Sequence, residues 1–300
     1  MQLQQAARHK AKIKMAVQGP SGAGKTYSAL LIAHGLCGSW EKIGVIDTEN
    51  GSSNLYAHLG PFKVMSLSPP FTPEKYIQAL SICVKHGLEV IIIDSISHEW
   101  EGAGGILDTH GQMTGNSFTN WSKITPRHNA FMQAIIQAPV HVICTLRTKQ
   151  DYVLTEKNGK MVPEKVGLKS IQRDGTDYEF TLVFDLDIKN NATASKDRTG
   201  LFFGKPETKL SEATGKAILD WCNEGVEIVE PDIHQRINDC RSIEELLALF
   251  KLHPQYQQSH LVHFTRKRNE LNPEPSTINL KTHENGTNDN INQSPSGTAA

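Results

Sequence analysis

The sequence predicts an α/β fold, a mainly parallel sheet flanked by helices, and three observations carry that prediction. A glycine-rich loop at residues 19–26 stands between a strand and a helix, strand-like and helical runs then alternate, and Glu89–Asp94 is apolar between its terminal carboxylates. Alternation of strand and helix is the signature of parallel strands joined by crossover helices. An unbroken apolar run is what a strand covered on both faces requires.

Taken in order, Ile13, Met15 and Val17 alternate into Gly19-Pro20-Ser21-Gly22-Ala23-Gly24-Lys25-Thr26, and Tyr27–Leu36 continues as an alanine- and leucine-rich helix. The octapeptide is a full match to the G-x-x-x-x-G-K-[ST] phosphate-binding loop in the strand-loop-helix context that loop needs. Its glycines let backbone N–H groups turn inward around α/β-phosphates, and the helix N-terminus adds its positive end. Lys25 is expected to reach the β/γ-phosphates and the Thr26 hydroxyl to ligate Mg²⁺, so residues 19–27 form the expected ATP contact.

Lys42–Asp47 and Phe62–Leu67 read as strands, Thr72–His86 as a helix, and Glu89–Asp94 and Val140–Leu146 as further strands. Residues 101–120 hold Gly102, Gly104, Gly105, Gly111 and Gly115 and are expected to form a long irregular loop, the kind that is usually functional. Between Asp151 and Val166 two extended stretches flank Asn158-Gly159, the strongest short hairpin signal, with Lys157 and Lys160 at the tip. Strand-like runs return at Tyr178–Ile188 and Gly200–Phe203, residues 211–223 read as a helix, and residues 232–270 show Ile243, Leu246, Leu247 and Phe250 at helical spacing. From Asn272 the chain is polar, with almost no large apolar residues, and is expected to be disordered. The organisation expected is a lead-in over 1–10, a core domain over 11–225, a small helical appendage over 226–271 and a tail over 272–300, with no internal repeat.

Composition excludes more than it specifies. A chain of 300 residues, 38% hydrophobic, is large enough for one substantial core and a small second one. A net charge of −1 and a pI near 6.9 give no overall attraction to phosphate, so any nucleic-acid contact must come from a local basic patch. Cys37, Cys83, Cys144, Cys222 and Cys240 are odd in number and far apart, and read as reduced thiols of a cytoplasmic protein. Arg8, Lys10, Lys12 and Lys14 precede no apolar h-region, and no run approaches 18 apolar residues, so neither a secretion signal nor a membrane span is expected.

Val90-Ile91-Ile92-Ile93-Asp94 has the Walker B form, placing Asp94 to hold the Mg²⁺ water shell beside Thr26. Many ATPases follow that Asp with a glutamate that polarises water; here the position is Ser95. Glu49, after the second strand, falls on the same C-terminal sheet edge and is the candidate base, against the alternative that it caps a helix beginning near Ser52. Glu99 is the next candidate. Arg147, Lys169, Arg173 and Arg198 are candidates for γ-phosphate contacts, within the chain or as an arginine finger from a neighbouring subunit, with Arg147 and Arg173 favoured. Arg147, Lys149, Lys157, Lys160, Lys165 and Lys169, with Tyr152 among them, form a hairpin cluster suited to phosphates and one stacked base, diluted by Asp151, Glu156 and Glu164. His98, Trp100 and His110 lack ligand spacing and read as packing or loop residues.

The phosphate loop, Val45-Ile46-Asp47-Thr48-Glu49-Asn50, Ile91-Ile92-Ile93-Asp94-Ser95, the glycine-rich segment and the strand running into a basic hairpin together resemble the RecA/RadA-like P-loop ATPase core. Gln172-Arg173-Asp174-Gly175 and Tyr178-Glu179-Phe180 sharpen the likeness to the phage and prophage type, AAA-family ATPases some of which are single-strand-annealing proteins. The resemblance covers roughly residues 10–225. It implies ATP and Mg²⁺ as cofactors, ATP hydrolysis with Glu49 as base, a homo-oligomer, and single-stranded DNA facing the loops after the fourth and fifth strands. It departs at Cys144-Thr145-Leu146-Arg147, where RecA carries a γ-phosphate-sensing Gln; Thr145 or Arg147 is the replacement candidate.

Two other functions fit parts of the sequence. Thr148-Lys149-Gln150-Asp151 resembles the guanine-reading [NT]KxD motif, but the glycine that should stand three residues after Asp94 is Ser97. The second is a nucleotide-gated module with little turnover, whose helical C-terminal part and tail recruit an annealing or replication partner.

Overall fold

Ile91 and Ile93 are buried on one side of their strand and Val90 and Ile92 on the other, so an uninterrupted apolar run is what the position demands. The computed structural model describes residues 5–157, 160–226, 233–253, 256–257 and 259–272. Its strands, in chain order, are β1 (Lys14–Gly19), β2 (Ile43–Asp47), β3 (Lys63–Ser66), β4 (Val90–Asp94), β5 (His141–Lys157), β6 (Lys160–Ser170), β7 (Leu182–Leu186) and β8 (Ala192–Asp197). They join in the order β3-β2-β4-β5-β1-β7-β8, with β6 paired to β5. All pairings from β3 through β7 are parallel; β8 and β6 add antiparallel partners.

This order sets the site. β5 lies between β1, which carries the phosphate loop, and β4, which ends in Asp94, so the C-terminal ends of β1, β5, β4 and β2 form one row. Ligands of open α/β sheets bind beyond that edge.

Helices cover both faces. α1 (Lys25–Cys37) and α6 (Glu212–Asn223) pack on the face holding Met15, Val17, Val45 and Ile143. α2 (Pro73–Lys85) and α5 (Ser117–Gln137) pack on the other, with Ala16, Ile46, Val142 and Cys144. Thr72 caps α2 by accepting from the Lys75 backbone N–H. α1 and α6 approach so closely that a Cβ on Gly215 would lie 2.2 Å from the Ile32 carbonyl oxygen. The lead-in is tied to the same end of the domain, since Lys10 N donates to Val226 O at 3.0 Å and Arg8 pairs with Glu224.

Two expectations are corrected. Residues 101–120 are not one irregular loop: α3 (Ser97–Glu101) runs into that segment, α4 (Ile106–Gln112) lies inside it, and α5 begins at Ser117, capped by Asn116. Gly102 and Gly105 flank α3 and α4 as caps, so the glycines punctuate short helices. α5 also fills residues to which the sequence reading assigns no element, and it contains Pro126. Gly200–Phe203 is not a strand either; its backbone turns, because the Asp197 carboxylate accepts from the N–H groups of Thr199, Gly200, Phe202 and Phe203. The antiparallel edge is β8, just upstream.

The β5–β6 hairpin forms with Lys149 opposite Lys169. Asn158 and Gly159 lie outside the described residues, as do the side chains of residues 152–166, and with them the expected parts of Tyr152, Lys157, Lys160 and Lys165. The tail from 273 to 300 lies outside them too.

The chain divides into two units, Met1–Ile228 and Val229–Ala300. The second holds α7 (Ile233–Asp239), α8 (Ile243–Leu252) and α9 (Leu261–Leu271) around Ile237, Leu246, Leu249 and Phe264. All five cysteine thiols are free. Among the described residues no helix is long and apolar enough to cross a membrane.

Candidate nucleotide site

The phosphate loop takes its shape from two glycines. Gly22 and Gly24 have φ of 79° and 77°, a conformation that costs a residue with a Cβ but not glycine. α1 starts directly after Gly24, so its free N–H groups and positive end face the loop. Lys25 Nζ donates to the carbonyls of Gly19 and Pro20, both at 2.9 Å, and is held across the loop mouth. Burial lowers its pKa, and the Asp94 and Glu49 carboxylates oppose that shift.

Thr26 Oγ1 donates to Asp94 Oδ2 at 2.6 Å, which brings the two expected magnesium ligands into contact. Thr145 Oγ1 donates to Asp94 Oδ1 at 2.5 Å. Burial raises the Asp94 pKa, and these hydroxyl bonds partly offset it. Two adjacent hard oxygens, with room for phosphate oxygens and water, suit Mg²⁺, which is normally bound by one or two protein groups plus substrate. Among the described residues no group of three or more His, Cys, Asp or Glu is arranged to hold a metal alone. Asp94–Ser95 is a cis peptide bond.

Glu49 is not the cap of the turn that follows. The Asp47 carboxylate takes that part, accepting from the N–H groups of Glu49, Gly51 and Ser53 and from the Ser53 hydroxyl. Glu49 is left to other partners. Arg147 Nε donates to its Oε1 at 2.8 Å, Arg147 Nη2 to its Oε2, and Ser95 Oγ to Oε1 at 3.1 Å. Burial pushes the Glu49 pKa up, but the Arg147 hydrogen bonds and charge outweigh it and leave the carboxyl below its ordinary value. Lys25, Thr26, Glu49, Asp94, Arg147, Ser52 and Tyr56 all line one cleft of about 560 Å³.

Other candidates fall elsewhere. Glu99 is fully buried, 3.1 Å from His128 Nδ1 and bonded to Gln172 Nε2 at 3.3 Å, so the alternative base has no access to the cleft. Arg173 Nη1 donates to Asn129 Oδ1 at 3.3 Å and lines neighbouring clefts instead, which leaves it no part at this chain's own phosphate loop. Lys169 pairs with Asp174 at 2.7 Å, and Arg198 donates to the Tyr178 carbonyl at 3.2 Å. Thr148-Lys149-Gln150-Asp151 lies inside β5, with Thr148 on the nucleotide cleft but Lys149 and Asp151 on the next one, so no guanine-reading set is assembled.

The sequence reading missed Asn190. Its φ of 65° and its position one residue before the end of a turn, in which the Asp187 carboxylate accepts from the N–H groups of Lys189 and Asn191, bring its side chain to 3.5 Å from the Gly22 carbonyl. The signal was an Asp followed by adjacent asparagines, the residues that adopt the left-handed region most readily after glycine.

Phosphate loop, Thr–Asp pair and carboxylate on a common sheet edge define a P-loop nucleotide-binding domain. The chain belongs to the AAA domain family, whose model matches residues 11–220, and is an AAA-type P-loop ATPase domain. No curated protein matches it.

Proposed function

We propose that this chain binds Mg²⁺-ATP, hydrolyses it, and uses the cycle on single-stranded DNA in phage-type recombination, annealing or replication. The observation that carries the catalytic half is the single cleft collecting Lys25, Thr26, Asp94, Glu49 and Arg147. Lys25 compensates β/γ-phosphate charge, and Thr26 with Asp94 would hold Mg²⁺, which supplies further positive charge as negative charge develops on the transferred group. Glu49, ionised at neutral pH, takes the proton from the attacking water. In the paired state it is bound to Arg147, so its use as a base calls for Arg147 to leave. A γ-phosphate is the natural competitor, because a guanidinium bridges phosphate oxygens as readily as a carboxylate. Arg147 then serves as the charge that stabilises the transition state. Arg173 is available to a neighbouring subunit of a homo-oligomer.

The DNA half rests on the resemblance to RecA/RadA-like phage ATPases and on topology. The α3–α4 segment and the β5–β6 hairpin both leave the C-terminal sheet edge, beside the nucleotide cleft. The test is ATP turnover by the full chain with and without single-stranded DNA, alongside mass by light scattering. Turnover that depends on Lys25, rises about tenfold or more with DNA and accompanies assembly is expected, since binding that favours one conformation shifts the equilibrium by its differential affinity. Slow turnover indifferent to DNA would instead favour a nucleotide-gated module recruiting an annealing or replication partner, a reading to which the engaged Glu49–Arg147 pair lends weight.

A further inference from the structure

Next to the nucleotide cleft lies a second cleft of about 540 Å³, and its walls differ in kind. Trp100 from α3 and Trp121 from α5 stack with ring centroids 6.0 Å apart and planes 22° from parallel. His110 from α4 stacks on Trp121 at 4.2 Å and 21°. All three rings are half-buried. Lys149 and Lys169, facing each other across the hairpin base, and Arg173 line the cleft with the two tryptophans. Of these rings Trp100 and Trp121 face the cleft, while His110 is stacked on Trp121 outside its lining.

We infer that this cleft is a base-stacking site for unpaired nucleotides of single-stranded DNA, with Trp100 and Trp121 as its platform. The inference rests on the DNA-acting function proposed above and locates where the strand is gripped. An unpaired base offers a flat face that extends such a stack, whereas in a duplex neighbouring pairs cover both faces. Charge points the same way. Glu101, Asp151 and Asp174 line the cleft beside the three cations, so its walls are close to neutral and stacking rather than phosphate neutralisation carries the affinity. Three cations limit the salt slope to about 2, at ~0.7 per phosphate contact. Glu101 and Ile171 line both clefts, and Gln172 ties the segment after β6 to the end of β4 by donating to Ile96 O at 3.0 Å while accepting from Arg173 N at 2.8 Å. Nucleotide state and base stacking therefore share a wall.

The test uses the full chain with Mg²⁺ and a slowly hydrolysed ATP analogue, titrated with labelled oligothymidine of about twenty nucleotides, longer than one site. A deoxyribose-phosphate strand of equal length without bases is the comparison. Oligothymidine should bind tenfold or more tighter than the base-free strand and quench tryptophan fluorescence. Trp121→Ala should lose about tenfold on oligothymidine, as the loss of one stacked base costs, and little on the base-free strand. Trp121→Phe should stay within about threefold of wild type, since a stacking face remains. Equal binding of the two strands, or unchanged affinity in both Trp121→Ala and Trp100→Ala, overturns the inference and leaves the DNA-acting function standing. If neither strand binds, that function falls and the inference with it. Should Trp121→Ala lose its melting transition, the two-strand comparison and the quench in wild type decide.

Discussion

Lys25, Thr26 and Asp94 were legible because each belongs to a short motif whose chemistry is local to its strand end. The Glu49–Arg147 pair was not, since its partners are 98 residues apart and only the β2-β4-β5 order brings them together. Each motif points to its residue, Glu49 or Arg147, but nothing in either motif signals that the two side chains engage each other. Lys25→Ala should abolish productive ATP binding, because no other cation lies inside the loop, and wild-type turnover by that variant would remove the site assignment. Glu49→Gln should still bind ATP yet hydrolyse it about 10²-fold more slowly, as an amide cannot accept the proton. Arg147→Ala separates two parts for one residue: turnover should fall by about 10³-fold if the guanidinium reaches the γ-phosphate, and rise if its main effect is to occupy Glu49. A residue far from the site gives a pH prediction. Buried His141 accepts from Ile13 N–H at 3.1 Å, and burial followed by the charges of Lys12 and Lys14 lowers its pKa to about 3. The folded state thus holds His141 neutral while the unfolded chain protonates near 6.5, so this contribution is complete above that pH and is lost as pH falls toward 3. Its slope reaches ~1.4 kcal/mol per pH unit. Denaturant melts of His141→Asn, which keeps an acceptor but cannot titrate, should show a flatter acid limb than wild type.

At the scale of elements, the central parallel strands are legible because burial on both faces leaves a continuous apolar signature, as in β4. Helices α4 and α5 are not. α4 spans only Ile106–Gln112 and includes Gly111, while Pro126 interrupts the pattern of α5. Each contains a residue that punctuates chains, and tertiary packing overrides the local preference: in α5, Phe131, Met132 and Ile135 bury against α2 and the sheet. The contact of α1 with α6 was equally hidden, since Gly35 and Gly215 look unremarkable in sequence. Each leaves room for the other helix's backbone, and an added Cβ at Gly35 would stand 2.1 Å from Glu212 O. Because carbonyls on a helix axis cannot turn aside as a side-chain end can, Gly215→Ala should destabilise the domain by about 1–3 kcal/mol, the usual range for overpacking. Alanine's better helix propensity, worth ~1 kcal/mol, offsets only part of this. Unchanged stability in urea would mean that the two helices are free to separate.

On the scale of the whole molecule, the division into two units makes a stronger claim than any single site. Every residue of the two large clusters lies between Ile13 and Cys222, and every residue of the third lies at or beyond Ile233. Among the described residues, the side chains that line the nucleotide cleft and the aromatic cleft beside it all belong to the first unit. A chain cut after Ile228 keeps the complete sheet, both helix layers, and the Arg8–Glu224 and Lys10–Val226 ties that close the lead-in onto the domain. It should therefore fold alone, with a cooperative melt and basal ATP turnover close to that of the full chain, since a domain with its own core is stable independently of its neighbours. Circular dichroism melts and turnover of residues 1–228 check this directly. Loss of the cooperative transition would show that the small unit supplies stability that its own cluster does not reveal. Preserved folding with lost assembly or DNA response would instead assign residues 229–300 to partner contacts, as the recruiting alternative requires.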